Sequence, residues 1–272
     1  MNSKHITNGI SRAFGRFAAK AHAPALQGAI NRAYVRLMKL DMGEFEAPES
    51  YPTLTALFTR ALKTPRPLAG DQNTLLAPCD ALATQCGKVE EGVLFQIKGM
   101  AYKLADLLPH LPQSELAPLT NGDYVNLYLS PRDYHRYHTP TALTLTRLTH
   151  IPGRLWPVNI PFLKKKANLF VENERVVLEG TDLKGRTWML IFVGALNVGK
   201  MRFVHLAGFE SNVKADAPTS YPLNVRVDRG DLLGWFEMGS TVVLITPEGA
   251  AQFELQEGDR SVYGGKIGWL KP

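Results

Sequence analysis

The sequence predicts an α+β protein, with N-terminal amphipathic helices packed on a β-rich catalytic core. Three observations carry this expectation. Apolar residues recur at helical spacing mainly within residues 1–65. From residue 70 onward, short runs rich in β-branched and aromatic residues alternate with Gly and Pro. A chain of 272 residues with 45% hydrophobic and 21% charged side chains can bury a full core, yet no run approaches the ~20 apolar residues of a membrane-spanning helix.

The elements follow in order. A first helix is expected where Ile10, Phe14, Phe17 and Ala21 share a face while Arg12, Arg16 and Lys20 lie on others. Pro24 interrupts it. A second helix sets Leu26, Ile30, Tyr34, Leu37 and Met38 on one stripe, ringed by Arg32, Arg36 and Lys39. A third spans Thr53 to Leu62, and Pro65 and Pro67 end it. Strands are predicted at Tyr124–Leu129, Leu143–Ile151, Arg175–Leu178, Trp188–Val193, Arg202–Ala207, Thr241–Thr246 and Gln252–Leu255, with a helical stretch at Lys103–Leu108. This divides the chain into a helical, membrane-associating region, 1–65, and a β-rich core, 66–272.

Charge is concentrated. Residues 1–40 hold Lys4, Arg12, Arg16, Lys20, Arg32, Arg36 and Lys39 with no acidic residue, against a net charge of +6 for the whole chain. The remainder is near neutral, so a nucleic-acid-binding surface does not follow from the basic balance. Basic amphipathic helices suit an anionic membrane surface, where each Lys or Arg contributes ~1 kcal/mol. Simple packing on the core, or a mitochondrial transit peptide, fits the same segment. Met1 to Ile10 lack the apolar run of a signal peptide. Cys79 and Cys86 are too few for a disulfide framework and match no zinc spacing. They read as small buried thiols in a reducing compartment.

Three stretches carry groups able to do chemistry. Gly234-Trp-Phe-Glu-Met-Gly-Ser-Thr241 precedes a strand-like Val242-Val-Leu-Ile245, and alone it reads as a turn. Leu127-Tyr-Leu-Ser-Pro-Arg-Asp-Tyr-His-Arg-Tyr-His-Thr-Pro140 sets His135 and His138 three apart. A metal site needs a further clustered ligand, and none is evident, so a general base is the better reading. Leu76-Ala-Pro-Cys-Asp-Ala81 offers Asp80 at a strand end, as a turn residue or a partner for an imidazole.

Together these stretches resemble the phosphatidylserine decarboxylase family, and the likeness is collinear over most of the chain. Tyr128 to His138 with Pro140 is close to a family signature, and Gly234, Phe236 and Met238-Gly-Ser-Thr241 look like its cleavage motif. Lys98–Tyr102, Pro152–Asn159, Leu169-Phe170, Asn173–Val176, Val193–Gly199, Phe58–Leu62 and Arg66-Pro67 support it. The family's Pro-Ala-Asp-Gly reads Pro78-Cys-Asp-Ala81 here, and Met238 replaces the usual Leu.

The resemblance implies self-cleavage between Gly239 and Ser240 into chains 1–239 and 240–272. Ser240 Oγ would attack the Gly239 carbonyl, where a Cβ would crowd the path. A hydroxyl needs a base, and His138 is expected to be that base, with Asp80 fixing its tautomer. Elimination of the ester and hydrolysis then leave a covalent pyruvoyl group at Ser240 and free ammonia. Its carbonyl forms a Schiff base with the headgroup amine of phosphatidylserine and takes the electrons released as CO2 leaves. His135 is the expected proton donor, with Asp133 supporting the histidine pair, and phosphatidylethanolamine is the product. The resemblance further implies a homodimer, peripheral on the cytoplasmic face of the cell membrane, with no metal and no nucleic-acid partner. Alternatives are a pyruvoyl decarboxylase of a soluble amino acid, a self-cleaving amidohydrolase and a non-catalytic lipid-binding protein.

Overall fold

Strands dominate because the apolar runs after residue 70 are short and β-branched. The computed structural model describes residues 15–96, 100–196, 200–213, 215–237 and 241–272. Its strands are β1 (Thr74–Leu76), β2 (Ala81–Lys88), β3 (Val93–Gln96), β4 (Met100–Lys103), β5 (Asp123–Tyr128), β6 (Arg136–His138), β7 (Leu143–Ile151) and β8 (Arg175–Thr181). They continue as β9 (Thr187–Val193), β10 (Met201–Phe203), β11 (Thr219–Val227), β12 (Leu232–Phe236), β13 (Thr241–Thr246), β14 (Ala251–Phe253), β15 (Arg260–Ser261) and β16 (Lys266–Leu270). The helices are α1 (Pro24–Met38), α2 (Leu54–Phe58), α3 (Leu104–Leu107), α4 (Gln113–Leu116), α5 (Ile160–Leu163) and α6 (Leu169–Glu172).

One antiparallel sheet organises the molecule, in the order β11-β7-β8-β9-β13-β5-β2-β15. Its central strands are buried on both faces, which is why β13 reads Val-Val-Leu-Ile without polar alternation. Val242 and Leu244 join Phe192, Leu127 and Leu178 in one apolar cluster, covered by the small sheets β10-β12-β6 and β1-β16-β14. Val243 and Ile245 face the other way, with Val193 and Ile191, and are covered by Phe58, Leu107, Leu116 and Phe170 from the helices.

Seven strands coincide with predicted runs, Leu143–Ile151 and Thr241–Thr246 to the residue. The predicted helical stretch Lys103–Leu108 holds α3, and Arg202–Ala207 contracts to β10. The edge strand β11 escaped prediction because Pro222 and Asn224 interrupt its pattern. An edge tolerates proline, since one side of it needs no ladder bond.

The N-terminal helices depart most from expectation. Residues 15–19 are helical, while Ile10 and Phe14 of the predicted stripe lie outside the described residues. In α1 the face turned inward is polar: Gln27, Gly28 and Asn31 are buried, whereas Leu26 and Leu37 are 54% and 75% exposed. Asn31 explains this. Its Nδ2 donates to the carbonyls of Pro48 (2.8 Å) and Tyr51 (2.9 Å), and its Oδ1 accepts from Gln27. The third helix is shorter than predicted. Thr53 caps it through Ala56 N, and it stops at Phe58 because the next residues reach into the β core. Phe58 belongs to the same apolar cluster as Val243, so residue 65 marks a change of secondary structure and not of core.

Candidate active site

β5 ends at Tyr128, and the chain then makes a tight turn before β6. Asp133 builds that turn: its Oδ2 accepts from Ser130 N (2.7 Å) and Ser130 Oγ (2.8 Å). Its Oδ1 is paired with Arg260. The Asp133 carbonyl is left to accept the Nδ1–H of His135 at 2.7 Å. That bond fixes the tautomer, so Nε2 carries the lone pair, and among the described residues Nε2 is buried without a hydrogen-bond partner. The Phe58 ring lies 4.0 Å from the imidazole, and Arg60 Nη2 reaches the carbonyls of Arg132 (3.0 Å) and Asp133 (3.2 Å). Burial, reinforced by the Arg60 charge, pulls the His135 pKa down to about 3.

His138 sits one strand length away in a cage of its own. Its Nδ1–H donates to the Gly230 carbonyl (2.9 Å), and its Nε2 accepts from the Tyr134 hydroxyl (3.2 Å). The Tyr263 ring is stacked on it at 3.5 Å, and the Tyr263 hydroxyl shares the Gly230 carbonyl at 3.0 Å. Gly230 adopts φ +86°, a conformation that suits glycine and lets its carbonyl serve both. Burial lowers the His138 pKa to about 4, helped by the Arg136 and Arg66 charges.

Asp80 does not take the part expected of it. Among the described residues no hydrogen bond joins it to His138. Its carboxylate is held by Arg66 through two bonds, Nη1–Oδ1 at 2.6 Å and Nη2–Oδ2 at 3.0 Å. It also accepts from the backbone of Tyr263 (2.8 Å). Tyr263 therefore stands between Asp80 and His138, and the Gly230 carbonyl holds the His138 Nδ1–H. The reason is charge: a guanidinium that meets both carboxylate oxygens is a stronger partner than a neutral imidazole.

Gly239 and Ser240 lie outside the described residues, as does Met238. β12 pairs with β6 so that Leu232 lies across from His138 and Trp235 across from Arg136, and Phe236 N donates to the His135 carbonyl (3.0 Å). On the far side, β13 begins with Thr241, between Tyr128 of β5 and Val193 of β9. His135 is thus nearer in register to the 238–240 junction than His138, by about 10 Å of strand. Among the described residues Thr241 Oγ1 is buried without a partner, and Asn126, beside Tyr102, lies on the same face of the sheet.

The family model described as phosphatidylserine decarboxylase matches residues 54–269. A Helicobacter pylori protein named phosphatidylserine decarboxylase proenzyme is 46% identical over 242 residues, 88% of this chain and 89% of that protein. Proteins of the same name from Campylobacter jejuni and Shewanella frigidimarina are 41% and 36% identical, covering 94% and 93% of this chain and 97% and 88% of their own lengths. The chain belongs to the phosphatidylserine decarboxylase family.

In this member of a decarboxylase family, the two signature histidines are brought to one end of the central sheet. Sequence reasoning missed Tyr263, a lone aromatic in a Gly-containing loop that carries no signal of its own. It also left Arg60 and Arg66 without roles, though both lie in stretches that the resemblance picked out. Cys79 is buried beside Asp80, and burial pushes its thiol well above the usual range, which makes it a poor nucleophile. Among the described residues no helix is long and apolar enough to cross a membrane.

Proposed function

We propose that the chain cuts itself between Gly239 and Ser240, that Ser240 becomes a pyruvoyl group, and that the product converts phosphatidylserine to phosphatidylethanolamine and CO2. The observation that carries this reading is a pair of buried, neutral histidines on β6 and the turn before it, His135 beside the β12–β13 junction and His138 three residues further along, in a chain of this family. The pyruvoyl group supplies an electrophilic carbonyl and an electron sink. This chain's residues supply the rest. Among the described residues Thr241 Oγ1 and His135 Nε2 are buried without a partner, which leaves polar valence for such a group and its substrate.

In this reading His138 withdraws the Ser240 proton, and His135 handles the proton of the decarboxylation step. His138 is suited to be the base because its Nδ1–H is spent on Gly230, leaving Nε2 free once the Tyr134 hydroxyl turns aside. His135 carries a bare Nε2 and so accepts a proton before it can return one. The two roles separate by variant. His138→Ala is expected to remain one polypeptide, and His135→Ala to cleave yet lose decarboxylation. The opposite pattern reverses the assignment. Mass spectrometry of the C-terminal fragment tests the whole proposal: a pyruvoyl end is one ammonia lighter than serine, and an intact amine there refutes it.

Peripheral attachment to an anionic membrane is part of the same reading. It is supported by the basic residues 1–40 and by the outward apolar side chains Leu26 and Leu37 of α1.

A further inference from the structure

The chain between β7 and α6 carries a feature that the reaction does not use. Trp156 is pinned by Asn173, which accepts from its backbone N (3.0 Å) and donates to its carbonyl (3.0 Å), and which also donates to the Gly194 carbonyl (2.8 Å). The indole Nε1 donates to Glu172 (3.0 Å), and Lys166 pairs with the same carboxylate (2.7 Å). Arg154 and Lys166 lie over the indole at 5.4 and 5.3 Å, and Phe162 stacks beside it at 6.0 Å. Asn159 caps α5 through Phe162 N. Directly after α5 come Lys164 and Lys165, both exposed and without an ion pair among the described residues.

Register locates this patch. Arg175, just after Asn173, pairs with Val193, and Val193 pairs with Thr241. The patch therefore flanks the same end of the sheet as the β12–β13 junction. Half-buried aromatic rings rimmed by cations, with two lysines unanswered, match the chemistry of an anionic bilayer interface, where indole rings settle at headgroup depth and ammonium groups meet phosphate and carboxylate. We propose that Arg154–Lys166 is a lipid-docking surface, separate from the N-terminal helices, that seats an anionic membrane at the rim of the site. It rests on the reading of the substrate as an anionic lipid.

The test is partition of the full-length protein onto vesicles, which needs no catalysis. Lys164→Gln/Lys165→Gln removes two exposed charges and is expected to lower partition onto mixed phosphatidylserine–phosphatidylcholine vesicles by roughly thirtyfold, at ~1 kcal/mol per charge. Partition onto pure phosphatidylcholine is expected to stay unchanged. In a separate arm, Trp156→Phe is expected to reduce quenching of tryptophan emission by a lipid-borne quencher. Partition of the double variant within twofold of wild type on mixed vesicles, as a protein-docking or merely solvated patch would give, overturns the proposal. An equal loss on both vesicle types, or unchanged quenching in Trp156→Phe, also overturns it. An inactive wild type that still shows the charge-dependent loss upholds the docking surface while refuting the proposed reaction.

Discussion

Burial decides what each functional side chain can do. His135 and His138 lose their charge because the interior disfavours imidazolium, and each then spends its remaining N–H on a carbonyl, so that both stand ready as acceptors. Asp80 is paired with Arg66, and it accepts from the backbone of Tyr263, whose ring is stacked on His138. Asp80→Asn leaves Arg66 largely buried with only Glu44 for a carboxylate partner. It is expected to destabilise the protein by about 3 kcal/mol and to slow self-cleavage, read by chemical denaturation and by gel densitometry over time. Full stability in that variant would show that the pair contributes little. Gly234 is constrained differently. A Cβ there would stand 1.9 Å from the Arg202 carbonyl oxygen and 2.8 Å from the Tyr137 ring. Gly234→Ala is therefore expected to cost about 1–3 kcal/mol by overpacking, seen as a lower melting temperature.

At the scale of elements, α1 inverts the usual rule. Its inward face is held by the Asn31 amide, and its outward face is apolar. Asn31→Leu, which adds hydrophobicity, is expected to destabilise by about 1–3 kcal/mol because the Pro48 and Tyr51 carbonyls lose their donor. Leu37→Ser is expected to leave the melting temperature unchanged, since Leu37 is already in solvent. The same melting curve for both variants would mean that the polar contacts do not hold the helix. Removing residues 1–40 should weaken vesicle binding while self-cleavage persists, because Phe58, Arg60 and Arg66 lie beyond the deletion. Vesicle sedimentation and a denaturing gel read the two outcomes.

For the molecule as a whole, the depressed histidines set a pH dependence. Their folded pKa values of about 3 and about 4 lie below the unfolded value of 6.5. Between these limits the unfolded chain binds more protons, so stability is full above pH 6.5 and falls as the pH drops towards the folded values. At pH 5 each histidine is expected to remove about 2 kcal/mol. Denaturant titrations at pH 7.5 and 5 measure the loss, and His138→Gln should roughly halve it. Equal stability of the wild type at both pH values would mean that the histidines are not sealed from water.

By itself the sequence determined the helical character of the N-terminal region, the longer core strands such as β7, the apolar runs of β13 and β9, and the histidine signature, because these are local patterns of spacing and composition. It carried no trace of which face α1 would turn inward, since Asn31 is recruited by carbonyls 17 and 20 residues away. Nor did it show that Asp80 would be claimed by Arg66 and that Tyr263, from the last strands, would cover His138. Those choices follow from competition among hydrogen-bond partners brought together only by folding, and periodicity along a chain holds no record of it.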